Sequence, residues 1–104
     1  VIGLLPSLDR ASANPFVHIP IATALGPMRN ALVVANSDVV IALNGAYGTL
    51  SEIVYALQFS KPVLALGDWD LAGVTQVTSV DEAVAQAIER ALSLPDGSSS
   101  HVDI

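Results

Sequence analysis

The stretch that most limits what this chain can fold into is Asp38 to Leu57, which reads as strand, glycine loop and helix in direct succession. Val39 to Leu43 is apolar without alternation and rich in β-branched residues, as expected of a parallel strand covered on both faces. Asn44 ends that run. Gly45 and Gly48 then supply positions without a Cβ, where the backbone can take positive φ or approach a ligand closely. In the helix that follows, Leu50, Ile53, Val54 and Leu57 recur at i, i+3, i+4 and i+7, an apolar stripe for packing on a sheet. Thr49 and Glu52 lie off that stripe, one turn apart.

Such a junction attracts anions. Unpaired N–H groups in the first helical turn and the positive end of the helix dipole both point into the loop, where a phosphate is stabilised. Thr49 adds a hydroxyl. A bare phosphate site has no use for the carboxylate of Glu52, so its presence points to chemistry or to a hydroxyl-rich ligand. Capping of the first turn by Thr49 and Glu52 is the bland alternative.

Upstream, Gly26-Pro27 opens another helix, with proline at the tolerated first-turn position. Met28, Ala31, Leu32 and Ala35 make its expected inward stripe, widened by Val33 and Val34. Arg29 is its only charge. An arginine in the first turn opposes the helix dipole, so it needs an anionic neighbour: Glu52, a ligand phosphate or a structural carboxylate such as Asp38.

The segment Asn44-Gly45-Ala46-Tyr47-Gly48-Thr49-Leu50-Ser51-Glu52 resembles the P-G-G-x-G-T-x-x-E motif of the LOG-like superfamily, often mislabelled as lysine decarboxylases and related to the Rossmann-like DprA/Smf proteins. Met28-Arg29-Asn30-Ala31 stands where that superfamily carries an R-K or R-N pair, and the spacing from Arg29 to Glu52 fits without a gap. Val1 to Leu92 is similar to roughly the C-terminal two-thirds of a small bacterial branch that opens G-I-L-P, D-R, A-N-P. Two positions depart from the motif: Asn44 replaces its proline and Ala46 its second glycine. The resemblance implies a Rossmann-like fold and a nucleotide-like ligand whose phosphate is held by Asn44, Gly45, Ala46, Tyr47, Gly48 and Thr49. It also implies Arg29 and Glu52 as catalytic residues if the protein is a nucleoside 5′-monophosphate phosphoribohydrolase cleaving the N-glycosidic bond.

Two other readings stay open. One is a non-catalytic carrier of a phosphorylated cofactor such as molybdenum cofactor; the other is an interaction module without ligand. Lysine decarboxylation is excluded, because Lys61 is the sole lysine and precedes a strand, at the wrong edge of an α/β sheet for a cofactor-linking residue. No metal and no resident cofactor are expected.

Composition narrows the partners. The 104 residues suit one domain, and 52% of them are hydrophobic against 13% charged, so apolar surface is left over for a partner subunit, most simply in a homodimer. With a formal net charge of −6 and only Arg10, Arg29, Lys61 and Arg90 as basic side chains, neither a nucleic-acid groove nor an anionic membrane surface is expected. There is no cysteine to frame disulfides or ligate metal. No run reaches the about 18 apolar residues of a membrane span, and no basic secretion signal opens the chain, so the cytoplasm is the default.

The expected fold is α/β, a mostly parallel sheet flanked by helices. Strands are predicted near 1–6, 17–22, 38–43, 61–66 and 74–77, and helices near 27–36, 48–59 and 80–93. Val84, Ala87, Ile88, Ala91 and Leu92 form the expected inward stripe of the last helix, and Ser79 to Glu82 its capping box. Residues 1–94 read as one domain and 95–104 as a mobile tail. Val1 to Pro6 reads as a buried strand with no element before it, whereas the resembled family carries earlier strands and a first phosphate loop there, so the domain is expected to be truncated at its N-terminus. Asp9, Arg10 and Asn14, in the loop after this strand, are second-tier candidates for ligand contact, and Trp69 is a candidate for stacking on a base.

Overall fold

The computed structural model describes residues 1–43, 45, 47–67 and 69–93. The elements follow in the order β1 (Ile2–Leu5), a 3-10 turn (Arg10–Ser12), β2 (Ile19–Ala22), a second 3-10 turn (Gly26–Met28) running into α1 (Arg29–Ala35), β3 (Val40–Ala42), α2 (Tyr47–Gln58), β4 (Val63–Leu66), β5 (Val74–Val77) and α3 (Val80–Leu92). Every strand pair is parallel, as the unalternating apolar runs require. The strands form two sheets, β1-β2 and β3-β4-β5, where a single sheet was expected.

Helices cover the three-stranded sheet on both faces. On one face Val40 and Ala42 of β3 and Val63 and Ala65 of β4 pack with Val34 of α1 and with Ile53 and Ala56 of α2. On the other, Leu64 and Val77 pack with Ala83 of α3. β4 therefore alternates its side chains between two apolar layers, which is why it shows no polar positions.

The helical stripes come out rotated from their expected positions. In α1 the buried side chains are Asn30 and Val34, while Met28 is 68% exposed. The reason is polar: Asn30 Nδ2 donates to Ser51 Oγ at 2.9 Å and turns the Asn30–Val34 line toward α2. In α2 the buried positions are Ile53 and Ala56, with Leu50 half-buried and Val54 and Leu57 exposed. In α3 Ala83 is buried and Ala87 half-buried, whereas Val84, Ile88 and Leu92 face outward. Arg90 Nη2 donates to Thr75 Oγ1 of β5 at 3.0 Å and fixes that rotation, with small alanines making the close approach to the sheet.

Two helix ends are built from side chains or strained backbone. Ser79 Oγ accepts from Glu82 N–H at 3.1 Å, and Glu82 reaches back to the N–H and hydroxyl of Thr78, both at 2.9 Å, one residue earlier than in a simple capping box. These bonds to the carboxylate hold Glu82 below its ordinary value, the Thr78 backbone N–H contributing most. At the end of α2, Ser60 N–H donates to Leu57 C=O at 3.3 Å and Lys61 N–H to Ala56 C=O at 2.8 Å, a Schellman pattern with Ser60 at φ 57 where glycine is usual.

Candidate functional site

The site forms where the first turns of α1 and α2 meet. Asn30, the second residue of α1, joins them by its bond to Ser51 and a longer one, 3.5 Å, to the carbonyl of Gly48. Both helices thus begin at one end of the molecule, at the C-terminal edge of the strands preceding them. In open α/β sheets ligands bind at that edge. Lys61 lies at the opposite edge, before β4, as its place in the sequence implies.

Gly45 and Gly48 have different reasons for lacking a side chain, and neither takes positive φ. A Cβ at Gly45 would overlap Thr49 Oγ1 and lie 3.1 Å from Thr49 Cβ, so this glycine makes room for the threonine. A Cβ at Gly48 would meet nothing within 4 Å, which leaves open space beside the first turn of α2. Tyr47 is 87% exposed at the start of the helix. Asn44 and Ala46, the two departures from the resembled motif, lie outside the described residues.

Arg29 and Glu52 are brought together, both half-buried. Burial pushes the Glu52 carboxyl above its ordinary value, and the nearby Arg29 guanidinium partly offsets this. Arg29 Nη1 donates to the Leu4 carbonyl at 3.3 Å, while its Nε is buried with no hydrogen-bond partner among the described residues. Asp38, offered as a structural partner for this arginine, is exposed.

Asn30 was not among the expected site residues. It is 4% exposed, and its Oδ1 is buried without a partner among the described residues. The signal in the sequence was a second polar residue directly after Arg29 on an otherwise apolar helix. Trp69, after β4, packs on the core around Val34 and Ile53, with its Nε1 buried and also unpartnered. The second-tier residues act locally: Asp9 Oδ1 accepts from Ala11 N–H and Asn14 Oδ1 from Phe16 N–H, both at 2.9 Å, each closing its own turn. Among the described residues no three His, Asp or Glu side chains gather as metal ligands, and no helix is long and apolar enough to cross a membrane.

A parallel α/β core with helices on both faces and polar groups at the meeting of two helix N-termini defines a Rossmann-like protein. The chain belongs to the SLOG cluster4 family, whose model matches residues 1–92. It is 42% identical over 66 residues to an uncharacterized protein of Archaeoglobus fulgidus, a match covering 64% of this chain and 43% of that one. The structure of the molybdenum cofactor binding protein from the phototrophic bacterium Rippkaea orientalis is similar at a TM-score of 0.79 and 35% identity, over 88% of this chain and 62% of that one. The chain therefore spans less than two thirds of the length of either protein.

Proposed function

We propose that the protein is a cytoplasmic binder or carrier of a phosphorylated, nucleotide-like small molecule, with molybdenum cofactor as the leading candidate. The observation that carries this reading is the likeness to the molybdenum cofactor binding protein over 88% of this chain at 35% identity. The donors at the site suit the phosphate of such a ligand. Free N–H groups in the first turn of α2 and the open space at Gly48 would receive an oxyanion, and the unpartnered Arg29 Nε offers a charge-assisted bond. Gly45, Tyr47, Gly48, Thr49 and Arg29 would hold such a ligand, together with Asn44 and Ala46 of the same sequence motif.

Hydrolysis of a nucleoside 5′-monophosphate is the second reading, favoured by Glu52. A half-buried carboxyl beside an arginine, pushed above its ordinary value by burial, can orient an attacking water and accept its proton next to an oxocarbenium-like ribose. A two-fold dimer is part of the proposal too, since Met28 and Leu32 of α1 leave apolar surface exposed; sedimentation at micromolar concentration reads it, and a monomer there overturns it.

Calorimetric titration of the purified protein with molybdenum cofactor, AMP and adenosine tests the binding reading. Phosphorylated compounds are expected to bind at least about tenfold tighter than adenosine, the worth of one good charge-assisted contact. Equal affinity for AMP and adenosine would remove the phosphate from the argument. Release of free adenine from AMP would shift the assignment to the hydrolase.

A further inference from the structure

Ser51 fixes which way the Asn30 amide faces. A serine hydroxyl carries one proton, and Ser51 Oγ donates it to the Gly48 carbonyl at 2.9 Å. Toward Asn30 that oxygen can therefore only accept, and it accepts from Nδ2 at 2.9 Å. The same Nδ2 lies 3.5 Å from the Gly48 carbonyl oxygen. Turned over, the amide would set its own oxygen against that carbonyl and against a hydroxyl whose proton is already given away. The hydrogen-bond network thus assigns Oδ1 to the other side.

No donor among the described residues answers it. Asn30 is 4% exposed, and Oδ1 is buried without a partner. Arg29, next in sequence, donates from Nη1 to the Leu4 carbonyl at 3.3 Å, and consecutive helical residues do not face each other. The first-turn N–H groups of α2 and the Arg29 guanidinium are donors suited to a phosphate. Oδ1 is the reverse, a neutral acceptor, and the oxygens of a phosphate ester carry almost no proton for it at neutral pH. Its partner has to be an O–H or N–H beside the phosphate. Gly48, whose carbonyl the amide touches, has open space where a side chain would stand, so a ligand seated there lies against the residue that Asn30 contacts.

We infer, on the reading of this site as a binder of phosphorylated small molecules, that Asn30 is a specificity-determining residue whose Oδ1 accepts a hydrogen bond from an uncharged O–H or N–H of the ligand. The site then selects for a donor next to the phosphate as well as for the phosphate itself. Because Oδ1 is covered, the donor reaches it only where neighbouring side chains shift as the ligand seats, and rotamer changes of that kind are common on binding. Ser51 is a positioning residue in this scheme, since it holds the amide oxygen toward the ligand rather than touching the ligand itself.

AMP carries three uncharged donor groups, the 2′-hydroxyl, the 3′-hydroxyl and the 6-amino group, so calorimetric titration with AMP and with the three analogues that each lack one of them reads the role of Asn30. One analogue is expected to bind wild type at least about tenfold weaker than AMP, and which one it is names the donor as a sugar hydroxyl or a ring amino group. In Asn30→Leu that analogue and AMP are expected to bind alike, the difference being lost with the acceptor. Equal affinity of wild type for AMP and all three analogues overturns the inference, and this series needs no variant to fold. A difference that survives in Asn30→Leu overturns it too. Equal binding of AMP and adenosine removes the phosphate reading, while a loss confined to one analogue and abolished in Asn30→Leu still supports the role of Asn30. AMP that does not bind at all overturns both.

Discussion

Asn30 Nδ2 donates to Ser51 Oγ at 2.9 Å, while the other end of the same amide, Oδ1, is buried with no partner among the described residues. A buried polar atom without a partner costs stability, so the side chain is kept at a loss that an apolar residue would avoid. Asn30→Leu is expected to change unfolding free energy by no more than about 1 kcal/mol, the lost bond to Ser51 being offset by removal of the orphaned carbonyl. Affinity for AMP should fall at least about tenfold, a loss worth 1.4 kcal/mol. Denaturant unfolding beside calorimetric titration reads both, and a large loss of stability with unchanged binding would make Asn30 a structural residue only.

Gly48 invites the opposite test. Its place in the first turn of α2 has open space around an added Cβ, and alanine is the better helix former by about 0.5–1 kcal/mol. Gly48→Ala should therefore raise Tm while its methyl group obstructs the approach of a phosphate. Unchanged affinity for AMP in a stabilised variant would show that the ligand lies elsewhere.

Glu52 sets a pH dependence. Its carboxyl is raised in the folded state, mainly by burial, so the folded protein holds that proton more tightly than the unfolded chain. Its contribution to stability is full below the ordinary value of 4.5 and is lost as pH rises through the raised folded value. Glu52→Gln removes that loss. The variant should melt higher than wild type at pH 7, with the gap closing toward pH 4, and a variant that melts lower at pH 7 would mean that attraction to Arg29 outweighs burial.

Ser60 holds φ 57 at the end of α2, a region that costs a residue with a side chain about 1–2 kcal/mol. Ser60→Gly is expected to stabilise the protein by up to about 1 kcal/mol after glycine's own entropy is counted. The substitution lies at the far end of α2 from Gly48, so titration with AMP should be unaffected.

Order and kind of the elements were legible in the sequence because each strand is a short, mainly apolar run and each helix is bounded by glycine, proline or a cap. Val39 to Leu43 is such a run, and Ser79 marks the start of α3. Which helical face turns inward was not legible. Val84, Ile88 and Leu92 look like a core stripe, but the bond from Arg90 to Thr75 and the smallness of Ala83 and Ala87 decide the rotation of α3. For Arg29 the sequence left Glu52, a ligand phosphate and a structural carboxylate such as Asp38 open as anionic neighbours, and the packing of α1 on α2 brings Glu52 near while Asp38 stays exposed. Asn30, seen in the sequence only as the second half of the Arg29-Asn30 pair, was given no place in the site because the worth of a neutral polar residue on a helix depends on its burial, which only the packing of α1 on α2 determines.

The placement of Arg29 has a kinetic consequence. The sequence carries a formal net charge of −6, and one of its four basic side chains is half-buried and tied to the Leu4 carbonyl. A phosphorylated ligand thus travels toward a repelling surface and meets attraction only at short range. Added salt shortens the reach of that repulsion, from a Debye length of about 30 Å at 0.01 M to about 8 Å at 0.15 M, and leaves a half-buried contact less affected. Association with AMP should speed up as ionic strength rises across that interval, the reverse of an electrostatically steered encounter, and stopped-flow rates that fall instead would place an attractive field around the site.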